Sequence, residues 1–180
     1  MKPINVFLLV SIFMMQACQT MPPSPMPVAA NLDLEQYMGR WYVIANIPTP
    51  FERDAYNAIE DYAMVGDNKI ATTFSFRRGA FDGEYKRMTA TGFVSPENPA
   101  IWGMRFVWPI KADFRVLYVD DDHQFTIIGR QKRDYLWIMA RSPVISDEAY
   151  EYLLAVSIDR GYDIREVQRV PQQSLAERNE

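Results

Sequence analysis

The sequence has little of the residues on which disulfide and nucleophilic chemistry depend. Its 180 residues include one cysteine, Cys18, and one histidine, His123. A single cysteine excludes an internal disulfide, so the domain must be stabilised by its core. Paired cysteines, a His-Glu-x-x-His pattern and a glycine-rich phosphate loop are also missing, which argues against the zinc and nucleotide sites that those motifs build. We therefore expect no metal, no cofactor and no enzymatic activity.

The sequence also lacks an excess of basic residues, since 19 Lys and Arg stand against 23 Asp and Glu. The net charge is -4 at pH 7, which argues against a basic surface for nucleic acid. Hydrophobic residues, in contrast, make up 48% of the chain and aromatic residues 13%. This composition is sufficient for one packed domain preceded by a leader.

The N-terminus has the pattern of an exported lipoprotein. Lys2 precedes an apolar run at 6–15 that is too short to span a bilayer and is typical of a secretory signal peptide. A buried N-terminal helix is the alternative. The sequence Met15-Gln16-Ala17-Cys18 resembles the bacterial lipobox, although Met15 and Gln16 differ from the preferred residues. The resemblance implies a signal peptide at 1–17 and acylation of Cys18, which would anchor the chain firmly in a membrane.

The segment after Cys18 indicates where the chain is anchored. Gln19 stands where that family of signals uses aspartate for retention at the inner membrane, so the resemblance implies a lipid-anchored protein of the outer membrane. Residues 18–30 contain Pro22, Pro23, Pro25 and Pro27, a composition that favours an extended, semi-rigid tether.

The body of the chain, 31–170, alternates short apolar segments with turn residues. This pattern predicts strands at 40–47, 56–65, 69–77, 85–94, 101–108, 114–119, 124–130 and 135–141. Strands at such even spacing are typical of a sandwich or of an up-and-down barrel. We predict an all-β fold in which eight antiparallel strands close into a β-barrel that can enclose one small ligand.

One segment departs from the strand pattern. Ser146 is a suitable N-cap, and apolar residues then recur at helical spacing until Gly161. The sequence therefore predicts one C-terminal α-helix packed outside the barrel. A short ninth strand is expected within 164–170, followed by a loose polar tail at 171–180.

Two segments carry a resemblance to a known family. Gly39-x-Trp41, after a short helical turn at 33–37, resembles the first signature of the lipocalins. Residues 133–143 resemble the last barrel strand of bacterial lipocalins and of apolipoprotein D-like proteins. The resemblance implies that Gly39 and Trp41 close one end of the barrel and that Arg141 packs over Trp41 in a cation–π contact.

The family's pattern of alternating side chains predicts which residues face a ligand. The large inward residues are expected to be Trp102, Met104, Phe106, Phe114, Val116, Tyr118, Tyr135, Trp137 and Met139. Small residues on the fourth strand, Ala90 and Gly92, would leave space opposite them. Polar groups are expected from Glu60, Thr73 and Ser75. The same pattern turns Phe74 and Phe76 outward, where an exposed aromatic pair could support a homodimer.

Several polar residues have alternative interpretations. Glu60 would face the cavity and could meet the amine of a lysophospholipid headgroup, unless a slip of one residue places Asp61 inside instead. Arg53 and Lys111 flank the expected open end and could meet a phosphate or carboxylate, or could be ordinary solvated charges. His123 follows three aspartates and is expected in a solvated hairpin rather than in a metal site or a triad.

The sequence leads to two main functional hypotheses. The first is a protein that carries, stores or scavenges a fatty acid or lysophospholipid at the bacterial outer membrane, for maintenance of the envelope under stress. The second is a structural or interaction lipoprotein whose barrel is filled by its own aromatic side chains. A third hypothesis, an isomerase or de-epoxidase, would have to rely on carboxylates such as that of Glu60.

Overall fold

The computed structural model describes residues 25–30 and 32–178. The expected signal peptide, Cys18 and most of the proline-rich tether lie outside the described residues. Within those two ranges, no helix is long and apolar enough to cross a bilayer.

The described chain forms a closed antiparallel β-barrel, as predicted. Consecutive strands pair with each other around the barrel, and β1 pairs with both β8 and β2 to close it. The short strand β9 pairs with the outer side of β1. The strands are β1 (Gly39–Ile47), β2 (Ala55–Gly66), β3 (Lys69–Arg78), β4 (Tyr85–Val94), β5 (Ile101–Arg105), β6 (Ala112–Val119), β7 (Phe125–Gly129), β8 (Leu136–Ala140) and β9 (Gln168–Arg169).

The described helices flank the barrel. Helix α1 (Leu34–Tyr37) precedes the first strand, and helix α2 (Asp147–Asp159) follows the eighth. The predicted cap of α2 is confirmed, since Ser146 Oγ accepts a hydrogen bond from the Ala149 amide at 3.1 Å. A single turn of 3-10 helix (Ile164–Glu166) then leads into β9.

Four predicted strands are longer than the observed ones, and those at 124–130 and 135–141 exceed them by one residue at each end. Strand β5 ends at Arg105, and residues 106–111 form a loop instead of continuing to 108. The expected strand at 164–170 is reduced to the two residues of β9. Val107, Trp108 and Ile110 have high strand propensity, but they lie beyond the last partner that β6 offers to β5, and Pro109 cannot donate to a ladder.

The barrel buries apolar residues on two sides of its wall. One cluster fills the interior, and a second lies between the outer face and α2. Strand β1 serves both clusters, because Trp41 and Val43 face inward while Tyr42 and Ile44 face the outer cluster. This is why residues 41–45 of β1 are all apolar instead of alternating with polar residues.

The C-terminal tail is docked on the barrel, so the prediction of a loose tail was wrong. Strands β1 and β2 separate beyond Tyr42, which leaves a seam in the wall. The Gln172 side chain crosses this seam: its Nε2 donates to the Val43 carbonyl at 2.7 Å and to the Ala58 carbonyl at 3.0 Å. The Asn57 amide donates to the Pro171 carbonyl at 2.8 Å. The tail therefore satisfies strand groups that lack a ladder partner.

Candidate ligand-binding cavity

One end of the barrel is closed by Trp41. Its side chain is fully buried, and its Nε1 donates to the Tyr37 carbonyl at 2.9 Å. The Trp41 ring also packs against the Tyr37 ring, with 5.1 Å between the centroids. Gly39 begins this strand with a φ of +94°, a conformation that residues with a side chain rarely adopt.

Arg141 covers Trp41 from outside. Its guanidinium carbon lies 3.8 Å from the centre of the Trp41 ring. Its nitrogens donate to the carbonyls of Arg40, at 2.7 Å, and of Gln36 and Met38, at 2.8 and 2.9 Å. The Gln36 and Met38 carbonyls lie at the C-terminal end of α1, where helix carbonyls have no intrahelical donor, and the Arg40 carbonyl belongs to β1. A single side chain thus fixes the helix, the first strand and the last strand together.

The closed half of the barrel is filled by aromatic rings. Trp102 stacks on Phe114 at 4.8 Å and meets the rings of Tyr37 and Tyr62 edge-on, at 5.7 Å each. Val116 and Met139 are fully buried in the same cluster. The interior of this half is therefore packed core rather than space for a ligand.

A cavity of about 120 Å³ occupies the open half. Its lining is mostly apolar and includes two methionines, Met88 and Met104, whose side chains adapt readily to shape. The lining residues are Thr49, Glu52, Glu60, Thr72, Phe74, Met88, Ala90, Met104, Phe106, Ala112, Asp113, Phe114, Arg130, Tyr135 and Trp137. The volume is below the roughly 300–1,000 Å³ of typical ligand pockets, so a long ligand requires these side chains to move.

Glu60 is the carboxyl group at the inner end of the cavity. It is 8% exposed and lies opposite Trp41 on β1 and Phe74 on β3, which fixes its inward direction. The Tyr62 hydroxyl, on the same face of β2, donates to Glu60 Oε2. Burial raises the pKa of Glu60 to about 7; the Tyr62 hydrogen bond opposes this increase, and the nearby Glu52 carboxylate adds to it within that value.

Glu52 is a second buried carboxyl group in the cavity wall. It comes from the β1–β2 loop and accepts hydrogen bonds from Trp137 Nε1 and Thr49 Oγ1, both at 2.8 Å. Burial raises its pKa, although these hydrogen bonds oppose the increase. The cavity therefore combines an apolar wall with two desolvated carboxyl groups.

Arg130 is the cation at the cavity mouth. One of its terminal nitrogens lies 3.4 Å from Asp134, and its guanidinium lies over the Tyr135 ring. Its buried Nε has no hydrogen-bond partner within the described part of the chain. Beside this mouth, the β5–β6 loop exposes a series of large apolar side chains: Phe106 by 57%, Val107 by 70%, Trp108 by 79% and Ile110 by 70%.

The residues that were expected in the cavity fall into two groups in the structure: those that line it and those that lie in the packed closed half. Glu60, Ala90, Met104, Phe106, Phe114, Tyr135 and Trp137 line it. Trp102, Val116 and Met139 face inward but lie in the packed closed half, while Gly92 lies against Met104 and Trp102.

Three inward predictions were wrong. Thr73 and Ser75 lie on the outer face of β3, because Thr72 and Phe74 are the residues that pair with the inward Tyr62 and Glu60. Tyr118 also faces outward, where its ring meets that of Tyr152 on α2.

The outward prediction for Phe74 and Phe76 was also wrong. These side chains are 6% and 3% exposed, and both belong to the interior cluster. Their rings contact each other at 5.3 Å inside the barrel. The argument for a homodimer through this pair therefore has no basis.

The other charged candidates lie away from the cavity. Lys111 Nζ packs over the Phe93 ring at 4.1 Å, and Arg53 lines a separate surface groove. His123 lies in the β6–β7 turn, where both ring nitrogens are shielded from solvent and have no partner among the described residues. No set of three potential metal ligands occurs within the described ranges.

Sequence reasoning missed several lining residues. Met88 precedes Ala90 by two positions on one strand, so alternation alone could have identified it. Ala112, two residues before Phe114, carried the same signal. Glu52 and Arg130 lie in loops, where no periodic pattern indicates the direction of a side chain. Thr72 and Phe74 were assigned to the wrong face of β3.

The comparisons with known proteins agree with this architecture. Residues 32–172 match the family described as lipocalin-like domain. The chain is 32% identical to temperature-induced lipocalin-1 of Arabidopsis thaliana over 161 residues, which cover 82% of this chain and 83% of that protein. It is 31% identical to the outer membrane lipoprotein Blc of Escherichia coli K12 over 156 residues, 84% of this chain and 86% of that one.

Solved structures show the same fold. Insecticyanin from the tobacco hornworm Manduca sexta matches with a TM-score of 0.65 at 20% identity, over 86% of this chain and 87% of that chain. Lobster apocrustacyanin A1 matches with a TM-score of 0.63 at 14% identity, over 86% and 94%. The chain therefore belongs to the lipocalin family, whose members bind small hydrophobic molecules.

Proposed function

We propose that this lipocalin binds a fatty acid or lysophospholipid and carries, stores or scavenges it at the bacterial outer membrane, for maintenance of the envelope under stress. The observation that supports this proposal is the cavity in the open half of the barrel, whose wall is mostly apolar and includes Phe74, Met88 and Met104. An acyl chain gains free energy by leaving water for such a wall. Arg130 at the mouth offers a cation to a phosphate or carboxylate that stays near solvent.

The location is proposed from the N-terminal sequence and from the relatives. Acylation of Cys18 would anchor the barrel, and the prolines that follow would hold it away from the bilayer. Relatives at 25% to 31% identity are named as outer membrane lipoproteins in Escherichia coli and Vibrio cholerae. A tethered lipid binder would reach ligands at the membrane surface without leaving it.

A titration with a fluorescent fatty acid tests the proposal. Purified, delipidated protein carrying Cys18→Ser is titrated while its tryptophan emission, to which the cavity-lining Trp137 contributes, is followed. We expect saturable binding and quenching. Ala90→Phe should abolish both, because the new ring fills the cavity. Ala63→Phe, on the exposed outer side of β2, is the matched control and should bind normally.

The second candidate function is that of a structural lipoprotein with a filled barrel. The aromatic packing around Trp102 and the small cavity volume favour it. It predicts no saturable binding by the wild-type protein and no difference between Ala90→Phe and Ala63→Phe. The titration therefore discriminates between the two candidates.

We propose a binding role rather than catalysis. The carboxyl groups among the cavity-lining residues are those of Glu52, Glu60 and Asp113, and neither histidine nor cysteine is among these residues. Turnover of an isomerisable lipid by the wild-type protein, lost in Glu60→Gln, would overturn this part of the proposal.

A further inference from the structure

The inner end of the cavity carries a polar pair on adjacent strands. Glu60 on β2 lies opposite Phe74, and Thr72 on β3 lies opposite Tyr62, so Glu60 and Thr72 are diagonal neighbours on the inward face. Both side chains line the cavity and are more than nine-tenths buried, with exposures of 8% and 5%. Their surroundings are otherwise aromatic and aliphatic.

No contact within the described residues gives the Thr72 hydroxyl a structural role. Its Oγ1 is buried and finds no hydrogen-bond partner within the described part of the chain. Valine would fill the same volume without the cost of burying an unsatisfied hydroxyl. The position of Thr72 in the cavity wall therefore indicates that its partner is a group that enters the cavity.

The groups that already hold Glu60 do not satisfy it completely. Tyr62 donates to Oε2, and a carboxylate can accept further hydrogen bonds through its two oxygens. Glu52, the second carboxyl group of the cavity, is occupied by Trp137 and Thr49. The inner end thus presents a carboxyl acceptor beside one hydroxyl that is free within the described residues, whereas the cation of the cavity, Arg130, lies at the mouth.

This arrangement selects among the polar groups of a ligand. A carboxylate placed beside Glu60 would meet a second acceptor and a second negative charge, which is costly in a desolvated site. A hydroxyl or a protonated amine would donate to Glu60 and satisfy Thr72. An anionic group on the same ligand would remain at the mouth with Arg130.

We propose that the inner end of the cavity is a subsite for a hydrogen-bond donor, which takes a hydroxyl or protonated amine of an amphiphile between Glu60 and Thr72 and rejects a carboxylate there. This inference rests on the proposed function, because it requires that the cavity admits an apolar chain. It adds the chemical class of the buried polar group and the direction in which the ligand enters.

Competition between matched amphiphiles tests the subsite. Dodecanol, dodecylamine and dodecanoate share one chain length, and each displaces a fluorescent fatty acid from the full chain carrying Cys18→Ser at about pH 8. We expect the alcohol and the amine to bind about tenfold tighter than dodecanoate. Equal affinities, or tighter binding of dodecanoate, would overturn the inference.

Two variants assign the preference to the polar pair. Thr72→Val should lower the affinity for dodecanol and dodecylamine about tenfold and leave dodecanoate unchanged. Thr73→Val, one residue along the same strand but on the outer face, is the matched control and should change none of the three. Glu60→Gln should weaken dodecylamine more than dodecanol, because it removes the charge and keeps an acceptor.

The outcomes separate this inference from the proposed function. If the reporter binds but Thr72→Val and Thr73→Val give the same ranking as the wild type, the donor subsite is wrong and lipid binding stands. If neither the reporter nor any of the competing amphiphiles binds to the wild type, the proposed function fails and the subsite fails with it.

Discussion

The two ends of this barrel use the same residue types in opposite ways. At the closed end, Trp41 is fully buried, donates a hydrogen bond and is covered by Arg141. At the open end, Trp108 is 79% exposed in a loop that also exposes Val107 and Ile110. Tryptophan therefore serves the stability of the fold at one end and remains in contact with solvent at the other.

The difference follows from what each end has to do. The closed end joins a helix to the first and last barrel strands through the hydrogen bonds of Trp41 and Arg141. The open end surrounds a cavity, so its residues must leave space and its loops cannot be fixed by packing. Stability is expected to be concentrated at one end of the molecule and adaptability at the other.

Truncation of Trp41 should have the largest effect. Trp41→Ala removes a fully buried ring, its hydrogen bond to Tyr37 and the surface on which Arg141 rests. We expect the free energy of unfolding to fall by about 3–5 kcal/mol, measured by urea denaturation. A loss no greater than that of Trp108→Ala would contradict the division between the two ends.

The closed end is also the part of the molecule that the sequence describes best. Gly39, Trp41 and Arg141 stand in short local motifs, and turn residues mark most of the strand boundaries. Buried periodicity and N-capping at Ser146 likewise predicted α2. These features depend on neighbours in sequence or on one contact between chain ends, so they can be recognised without knowing the register of the sheet.

The wrong inward assignments of Thr73, Ser75 and Tyr118 have one kind of physical origin, a β-bulge. A two-residue turn at Asp67-Asn68 pairs Gly66 with Lys69, and a regular ladder from there would place Ser75 opposite Glu60. A bulge between Met64 and Gly66 shifts this register by one residue, so Phe74 takes the inward position. The bulge between Val116 and Tyr118 turns Tyr118 outward in the same way.

Stability should depend on pH through the carboxyl group that lies between the two ends. Burial holds the pKa of Glu60 at about 7, above its ordinary value of 4.5. The folded protein therefore keeps a proton that the unfolded chain loses, and the free energy of unfolding should fall as pH rises from about 4.5 to about 7. The expected decrease is at most about 3 kcal/mol.

Glu60→Gln should flatten this pH profile, measured by urea denaturation at a series of pH values. Glu97→Gln, at an exposed position in the β4–β5 loop, is the control and should keep the wild-type slope. Glu52 contributes in the same direction in both variants, since burial also raises its pKa. An unchanged slope in Glu60→Gln would show that the inner end of the cavity is better hydrated than its burial implies.

The docked tail should contribute a smaller, local effect. Gln172→Ala removes both donors to the seam between β1 and β2, at Val43 and Ala58. We expect a loss of about 1–2 kcal/mol and faster hydrogen exchange in the strand segments beside the seam, with the closed end unaffected. Gln168→Ala, which removes an exposed hydrogen bond to the Arg53 carbonyl, is the matched control. Uniform acceleration across the barrel would mean that the seam belongs to the same cooperative unit as Trp41.

The smallest change in the free energy of unfolding is expected at Trp108. The ring is 79% exposed and is not part of either apolar cluster of the described chain, so Trp108→Ala removes little buried area. We expect the free energy of unfolding to change by no more than about 0.5 kcal/mol in the same urea measurement. A loss close to that of Trp41→Ala would mean that the β5–β6 loop folds back as part of the core. If the free energy of unfolding is nearly unchanged, contact with a ligand or a surface remains as the physical reason for an exposed tryptophan beside the cavity mouth.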